Sequence, residues 1–176
     1  MDLQDRWRGV VCTEMYRTAP DFELVDQDGS PHALKDYAGQ WLILFFYPKD
    51  RSLNCTREVC AFRDESIIIG QFGNASVVGV NHESVDSHKN FARRRNLNFP
   101  LLSDVDNQVT RAYGAWRSNK PKVYDVLFPT RRNTYLINPE GKIVKEYLSV
   151  NPSGHAEEVI SDLHKLQAKE VVKNSK

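Results

Sequence analysis

The run Trp41-Leu42-Ile43-Leu44-Phe45-Phe46-Tyr47, closed by Pro48 and followed by Lys49-Asp50-Arg51-Ser52-Leu53-Asn54-Cys55-Thr56-Arg57-Glu58-Val59-Cys60, decides the architecture. Apolar residues on consecutive positions, in a run far too short to span a bilayer, read as a central strand covered on both faces. Pro48 ends it, because proline cannot continue an interior ladder. Beyond the proline, Phe62, Ile67, Ile68 and Ile69 form a roughly helical apolar stripe that stops near Gly70. Cys55 therefore falls where strand gives way to helix. A thiol there meets the unpaired backbone N–H groups and the positive end of the helix dipole, and both favour the thiolate.

Outward from this junction the pattern repeats. Ala75 to Val80 is a second buried strand, and Ser84 can cap a helix carrying Val85, Phe91 and Ala92. Phe99 to Leu102 is a short extended piece. Ser103 is expected to cap a helix through Val109, Ala112 and Tyr113, which Gly114 stops. Ala115 to Thr130 has no period and reads as a long surface loop. Thr134 to Ile137 and Ile143 to Leu148 flank the turn residues Asn138-Pro139-Glu140-Gly141-Lys142, a hairpin signal. A last helix opens near Ser153 and carries Val159, Ile160, Leu163 and Leu166. Upstream, Phe22 to Val25 and Ser30 to Leu34 bracket Asp26-Gln27-Asp28-Gly29 as an edge hairpin. The order implies an α/β fold: a mixed central sheet with helices on both faces and an N-terminal β-hairpin. Residues 1–18 read as an N-terminal extension with a short strand around Val10-Val11-Cys12, residues 19–170 as the folded domain, and 171–176 as a frayed tail.

Composition narrows the function. The 176 residues are 40% hydrophobic, with 24 Lys and Arg against 23 Asp and Glu, which suits one globular domain and recommends neither a nucleic acid nor a membrane as partner. Three adjacent arginines, Arg93, Arg94 and Arg95, would splay over different faces of a helix and read as solvated. The start lacks the apolar core of a signal peptide, and the chain is read as cytoplasmic. Three cysteines are too few for a secreted disulfide framework. In a reducing compartment a close pair is catalytic, metal-binding or structural. Zinc usually takes a second close pair or a Cys and His cluster, and the histidines at 32, 82, 88, 155 and 164 are dispersed, so no metal or other cofactor is expected. From these residues alone, Cys55 is a nucleophile or a buried structural thiol, and Cys60 its partner or an inert core residue.

The ordered segments Ala19-Pro20-Asp21-Phe22, Phe46-Tyr47-Pro48-Lys49-Asp50, Cys55-Thr56 with Glu58 and Cys60, Phe62-Arg63-Asp64, Ser87-His88-Lys89, Phe99 to Asp104, and Arg132 to Ile137 resemble the peroxiredoxins. The likeness is greatest to the peroxiredoxin Q or bacterioferritin comigratory protein branch. It implies a thioredoxin-like fold. It also implies a thiol peroxidase that reduces hydrogen peroxide and organic hydroperoxides with electrons from thioredoxin or a similar dithiol. Pro48, Ser52 and Cys55 match the family's peroxidatic motif, with Ser in place of the more usual Thr. Leu53-Asn54 replace the branch's Pro-Gly, and Asn is the residue expected to take left-handed backbone there.

On this resemblance the Cys55 thiolate attacks peroxide, while the Cys55 N–H, the Ser52 hydroxyl and a distant guanidinium orient it and spread the developing charge. The guanidinium is Arg132 by family register, with Arg131 as rival because alternation sends neighbours to opposite faces. Pro48 shields the thiolate from bulk water. The resulting sulfenic acid is captured by Cys60 as a disulfide. Cα atoms five apart on a helix are about 8.6 Å from each other, beyond the roughly 7 Å a disulfide can bridge, so residues 52–61 must melt. Because the bond needs no partner chain, a monomer is expected. The rival enzyme, a disulfide oxidoreductase, usually has two residues between its cysteines; a redox-sensing interaction protein or holdase is the alternative from another class.

Overall fold

Alternation along β4 (Trp41–Phe46) sends Trp41, Ile43 and Phe45 to one face of the sheet and Leu42, Leu44 and Phe46 to the other, and all six are buried. This computed structural model describes residues 16–72, 74–117 and 129–174. The strand expected around Val10-Val11-Cys12 lies outside them, as does most of the loop between Ala115 and Thr130.

β4 is central because it finds partners on both edges. On one side it pairs in parallel with β5 (Ala75–Asn81), which pairs in parallel with β6 (Leu101–Ser103). On the other it pairs antiparallel with β7 (Asn133–Ile137), which continues into β8 (Lys142–Tyr147) through the expected hairpin. β1 (Arg17–Thr18) closes one edge, and the hairpin of β2 (Glu23–Val25) and β3 (Pro31–Ala33) closes the other. Gly79 lets the sheet pack at its centre: a Cβ there would lie 2.8 Å from both Leu101 Cδ2 and Phe45 Cζ.

Helices lie on both faces, unequally. Against Trp41, Ile43, Phe45 and Tyr47 pack α1 (Leu53–Phe72), α2 (Val85–Arg95) and α4 (His155–Asn174), through Val59, Phe62, Phe91, Val159 and Leu163 among others. The opposite face is covered by α3 (Gln108–Ala112), through Val109, with Tyr113 after it, and by Ala19, Phe22 and Tyr37. Among the described residues no helix is long and apolar enough to cross a membrane.

Local signals held where they were local. Ser84 caps α2, its side chain accepting the Ser87 N–H at 3.3 Å, and Gly114 takes φ +71° after α3. Ser103 does not cap α3. It is buried in β6, paired with Asn81 and Val25, and its hydroxyl donates to the Glu83 carbonyl. The neighbouring Asp104 takes the task, accepting the Thr110 N–H at 2.7 Å and the Val109 N–H at 3.3 Å, because a carboxylate is the stronger acceptor for orphan helix donors. α1 runs through Gly70 to Phe72, since one interior glycine costs a helix only about 1 kcal/mol. The final helix likewise continues to Asn174.

Candidate active site

Where β4 ends, the chain is pinned before it turns into α1. Tyr47 and Pro48 are buried, and the Tyr47 hydroxyl donates to Asp50 Oδ1 at 2.7 Å. The Asp50 carboxylate also accepts from Asn81 Nδ2 at 3.0 Å, the Ser87 hydroxyl at 2.8 Å and His88 Nδ1 at 2.9 Å. Burial opposes ionisation of Asp50, but the bonds from His88, Tyr47 and Ser87 outweigh it and bring the carboxyl to about 2. An ionised carboxylate can only accept, which places a proton on His88 Nδ1. The network ties the strand exit to β5 and α2, so the loop that carries the cysteine starts from a fixed point.

The left-handed residue of that loop is Arg51, at φ +61°, and not Asn54, which is already helical. Reversal three residues earlier frees Leu53 and Asn54 to form the first turn. Ser52 caps it: its Oγ accepts the Cys55 N–H at 3.3 Å and its carbonyl accepts the Thr56 N–H at 2.8 Å. Cys55 is thus held in the first turn of α1 with its side chain packed inward, only 1% exposed.

Arg132 meets it from the entry to β7. The Arg132 carbonyl accepts the Val150 N–H at 3.0 Å, and the guanidinium divides its donors: Nη2 donates to Cys55 Sγ at 3.3 Å, and Nη1 to Glu58. Burial works against this cation, but Glu58 and the Cys55 sulfur raise its hold on the proton above the usual arginine value. Arg131 is exposed, and its backbone N–H donates to the Ala115 carbonyl. The sulfur's arginine is therefore Arg132. Cys60 is half-buried further along the unbroken helix, and both cysteines are free.

Glu58 has a part that the sequence reading did not assign. It is fully buried, and burial pushes its carboxyl up to about 7, the nearby guanidinium offsetting only part of the cost. A signal existed: Glu58 stands one turn after Cys55, within the buried stripe of Val59 and Phe62, where an acid needs a partner. Asp50 and His88 stand in two of the segments that resemble the peroxiredoxins, but periodicity gave no sign of their pairing, because they are 38 positions apart in the chain and meet only in the fold.

His155, at the start of α4, is the second buried titratable group near the site. Its Nε2 lies 2.8 Å from Thr134 Oγ1, and burial, then Arg132, depress it to about 4. The two groups bend stability in opposite directions. Between pH 7 and 4.5 the folded chain holds a proton on Glu58 that the unfolded chain releases, so this group stabilises the fold increasingly as pH falls. Between pH 6.5 and 4 the unfolded chain protonates His155 while the folded chain does not, so this group's contribution is lost as pH falls. In urea titrations across pH 4.5 to 7, Glu58→Gln is expected to lose stability on acidification more steeply than the parent, and His155→Gln less steeply. Parallel profiles for all three proteins would refute both assignments.

A cysteine in the first turn of a helix has its sulfur against an arginine from a neighbouring strand entry, and the chain that builds this arrangement has known relatives. The AhpC/TSA family profile matches residues 15–146. The chain belongs to the AhpC/TSA family. Peroxiredoxin Bcp of Bacillus subtilis strain 168 is 33% identical over 159 residues, covering 90% of this chain and 100% of that protein. Peroxiredoxin Bcp of Escherichia coli K12 is 35% identical, with 81% and 90% covered. Among solved structures, the bacterioferritin comigratory protein of Xanthomonas campestris, described for its alkyl peroxide reduction activity, matches with a TM-score of 0.75 at 32% identity over 82% of this chain and 90% of that one. BcpB of Mycobacterium tuberculosis matches at a TM-score of 0.76 and 32% identity, with 85% and 96% covered. This peroxiredoxin thus has the thioredoxin-like fold of the Bcp and Q branch, a mixed sheet flanked by helices.

Proposed function

We propose that this peroxiredoxin reduces hydrogen peroxide and small organic hydroperoxides through Cys55, and that thioredoxin or a similar dithiol restores the thiol. The observation that carries the reading is the Cys55 sulfur in the first turn of α1, 3.3 Å from Arg132 Nη2. The thiolate attacks one peroxide oxygen, an S–O bond forms, the O–O bond breaks, and hydroxide or alkoxide departs. The Arg132 guanidinium faces the developing charge, while the Cys55 N–H is held by the Ser52 cap. Ser52 Oγ accepts from that N–H and keeps its own O–H free to donate to peroxide. Pro48, buried at the strand exit, limits water around the sulfur.

The product on Cys55 is a sulfenic acid, and Cys60 is its resolving thiol. Since the intact helix holds the two Cα atoms at about 8.6 Å, the disulfide requires the first turns of α1 to unwind. The cycle then closes within one chain, so a monomer suffices for it. Cys60→Ser is expected to give one rapid oxidation and then stall in a steady-state assay with thioredoxin, with sulfinic acid accumulating under excess peroxide. In the parent, oxidation should strip amide-exchange protection from residues 52–61. Unchanged protection there, with a disulfide formed, would reject the melting step.

A further inference from the structure

The second cysteine has a cation of its own. Arg63, one turn after Cys60 on α1, places Nη1 3.7 Å from Cys60 Sγ. The same Nη1 donates to the carbonyl of Arg95, the last residue of α2, at 2.6 Å. Nε and Nη2 are both taken by Asp64 Oδ1, at 2.8 and 2.7 Å. Ser66 adds a second tie to the segment that follows α2, its hydroxyl donating to Asn98 Oδ1 at 2.9 Å. The guanidinium is therefore held by Asp64 and by the end of α2, groups that lie beyond Cys60 in the chain. A residue needed only to cap α2 has no cause to direct the same nitrogen at a sulfur.

We infer that Arg63 is a positioning residue for the resolving step: anchored to the end of α2, it keeps a positive charge beside Cys60 Sγ and supports that sulfur as the nucleophile that captures oxidised Cys55. The inference rests on the reading of Cys60 as the resolving thiol. In the step, the Cys60 thiolate attacks the Cys55 sulfenic sulfur, the S–S bond forms, and the S–O bond breaks with its electron pair leaving on hydroxide. One proton, released when the Cys60 thiol ionised, converts the hydroxide to water. The anchor also sets where unwinding ends. Residues 52–61 can loosen while the helix from Arg63 onward stays docked on α2, so the attacking sulfur swings from a fixed charged pivot. An arginine suits this better than a lysine because its fork serves sulfur, carbonyl and carboxylate together.

Stopped-flow oxidation with a small excess of hydrogen peroxide separates two phases: peroxide-dependent formation of the sulfenic acid, and peroxide-independent disulfide formation. Arg63→Gln is expected to leave the first phase unchanged and slow the second on the order of tenfold, with Arg63→Lys recovering part of the loss. Asp64→Asn, which frees the guanidinium at an exposed carboxylate, should leave the second phase as fast or faster, and it keeps the test alive if Arg63→Gln folds poorly. A second phase unchanged or faster in Arg63→Gln, or slower in Asp64→Asn, would overturn the proposal. Failure of the underlying reading is distinct: Cys60→Ser would then retain the second phase.

Discussion

Cys55→Ser is expected to abolish peroxide reduction, leaving the uncatalysed background in an assay with thioredoxin, while the fold survives. The fold survives because a hydroxyl is smaller than a thiol and the Cys55 side chain occupies a site already lined by polar partners, the Arg132 guanidinium among them. Activity does not, because a serine hydroxyl has no anionic form available at neutral pH, and neither the helix dipole nor one guanidinium supplies enough to create it. The first turn of α1, the Ser52 cap on the Cys55 N–H and the Arg132 contact to its sulfur all converge on one residue, so nothing else in the site can take its place. Normal turnover by this variant would remove Cys55 from the mechanism.

Arg132→Ala is expected to lower the rate of Cys55 oxidation by a factor of about 100, read in the first stopped-flow phase, whereas Arg131→Ala should have little effect. Two losses combine. The sulfur loses its charge-assisted donor at 3.3 Å, and the departing oxygen loses the cation that faces it. The change should not unfold the protein. Glu58, left without its partner in a fully buried place, can take up a proton, since burial has already pushed it up to about 7. Arg132→Lys should rescue only part of the rate: one ammonium cannot reach both the sulfur and Glu58 from the positions that Nη2 and Nη1 occupy. The reverse ranking of Arg131 and Arg132 would transfer the role.

Much of this molecule was legible from one-dimensional pattern because the deciding physics is local. A run of apolar residues ended by proline must be a buried strand, and turn residues between two alternating segments must be a hairpin. Misreadings arose where two neighbours competed for one local task. Ser103 and Asp104 could each cap α3, and the choice fell to Asp104 because its carboxylate is the stronger acceptor and β6 holds Ser103 between Asn81 and Val25. Asn54 and Arg51 could each take the left-handed turn, and the cap at Ser52 requires it before the helix begins.

Order along the chain was enough to state that a thiol sits at a helix start, that a central strand leads into it, and that a second thiol lies too far along the same helix to reach it without movement. Spacing and periodicity carry those facts, and neither needs distant contacts. Which arginine meets the sulfur, that a buried carboxylate shares that arginine, and that Asp50 and His88 lock the loop beneath them were settled only when strands far apart in sequence were brought together. The physical reason is that charge placement in a dry interior depends on through-space partners and on what excludes water from them, and neither quantity is encoded in neighbouring residues.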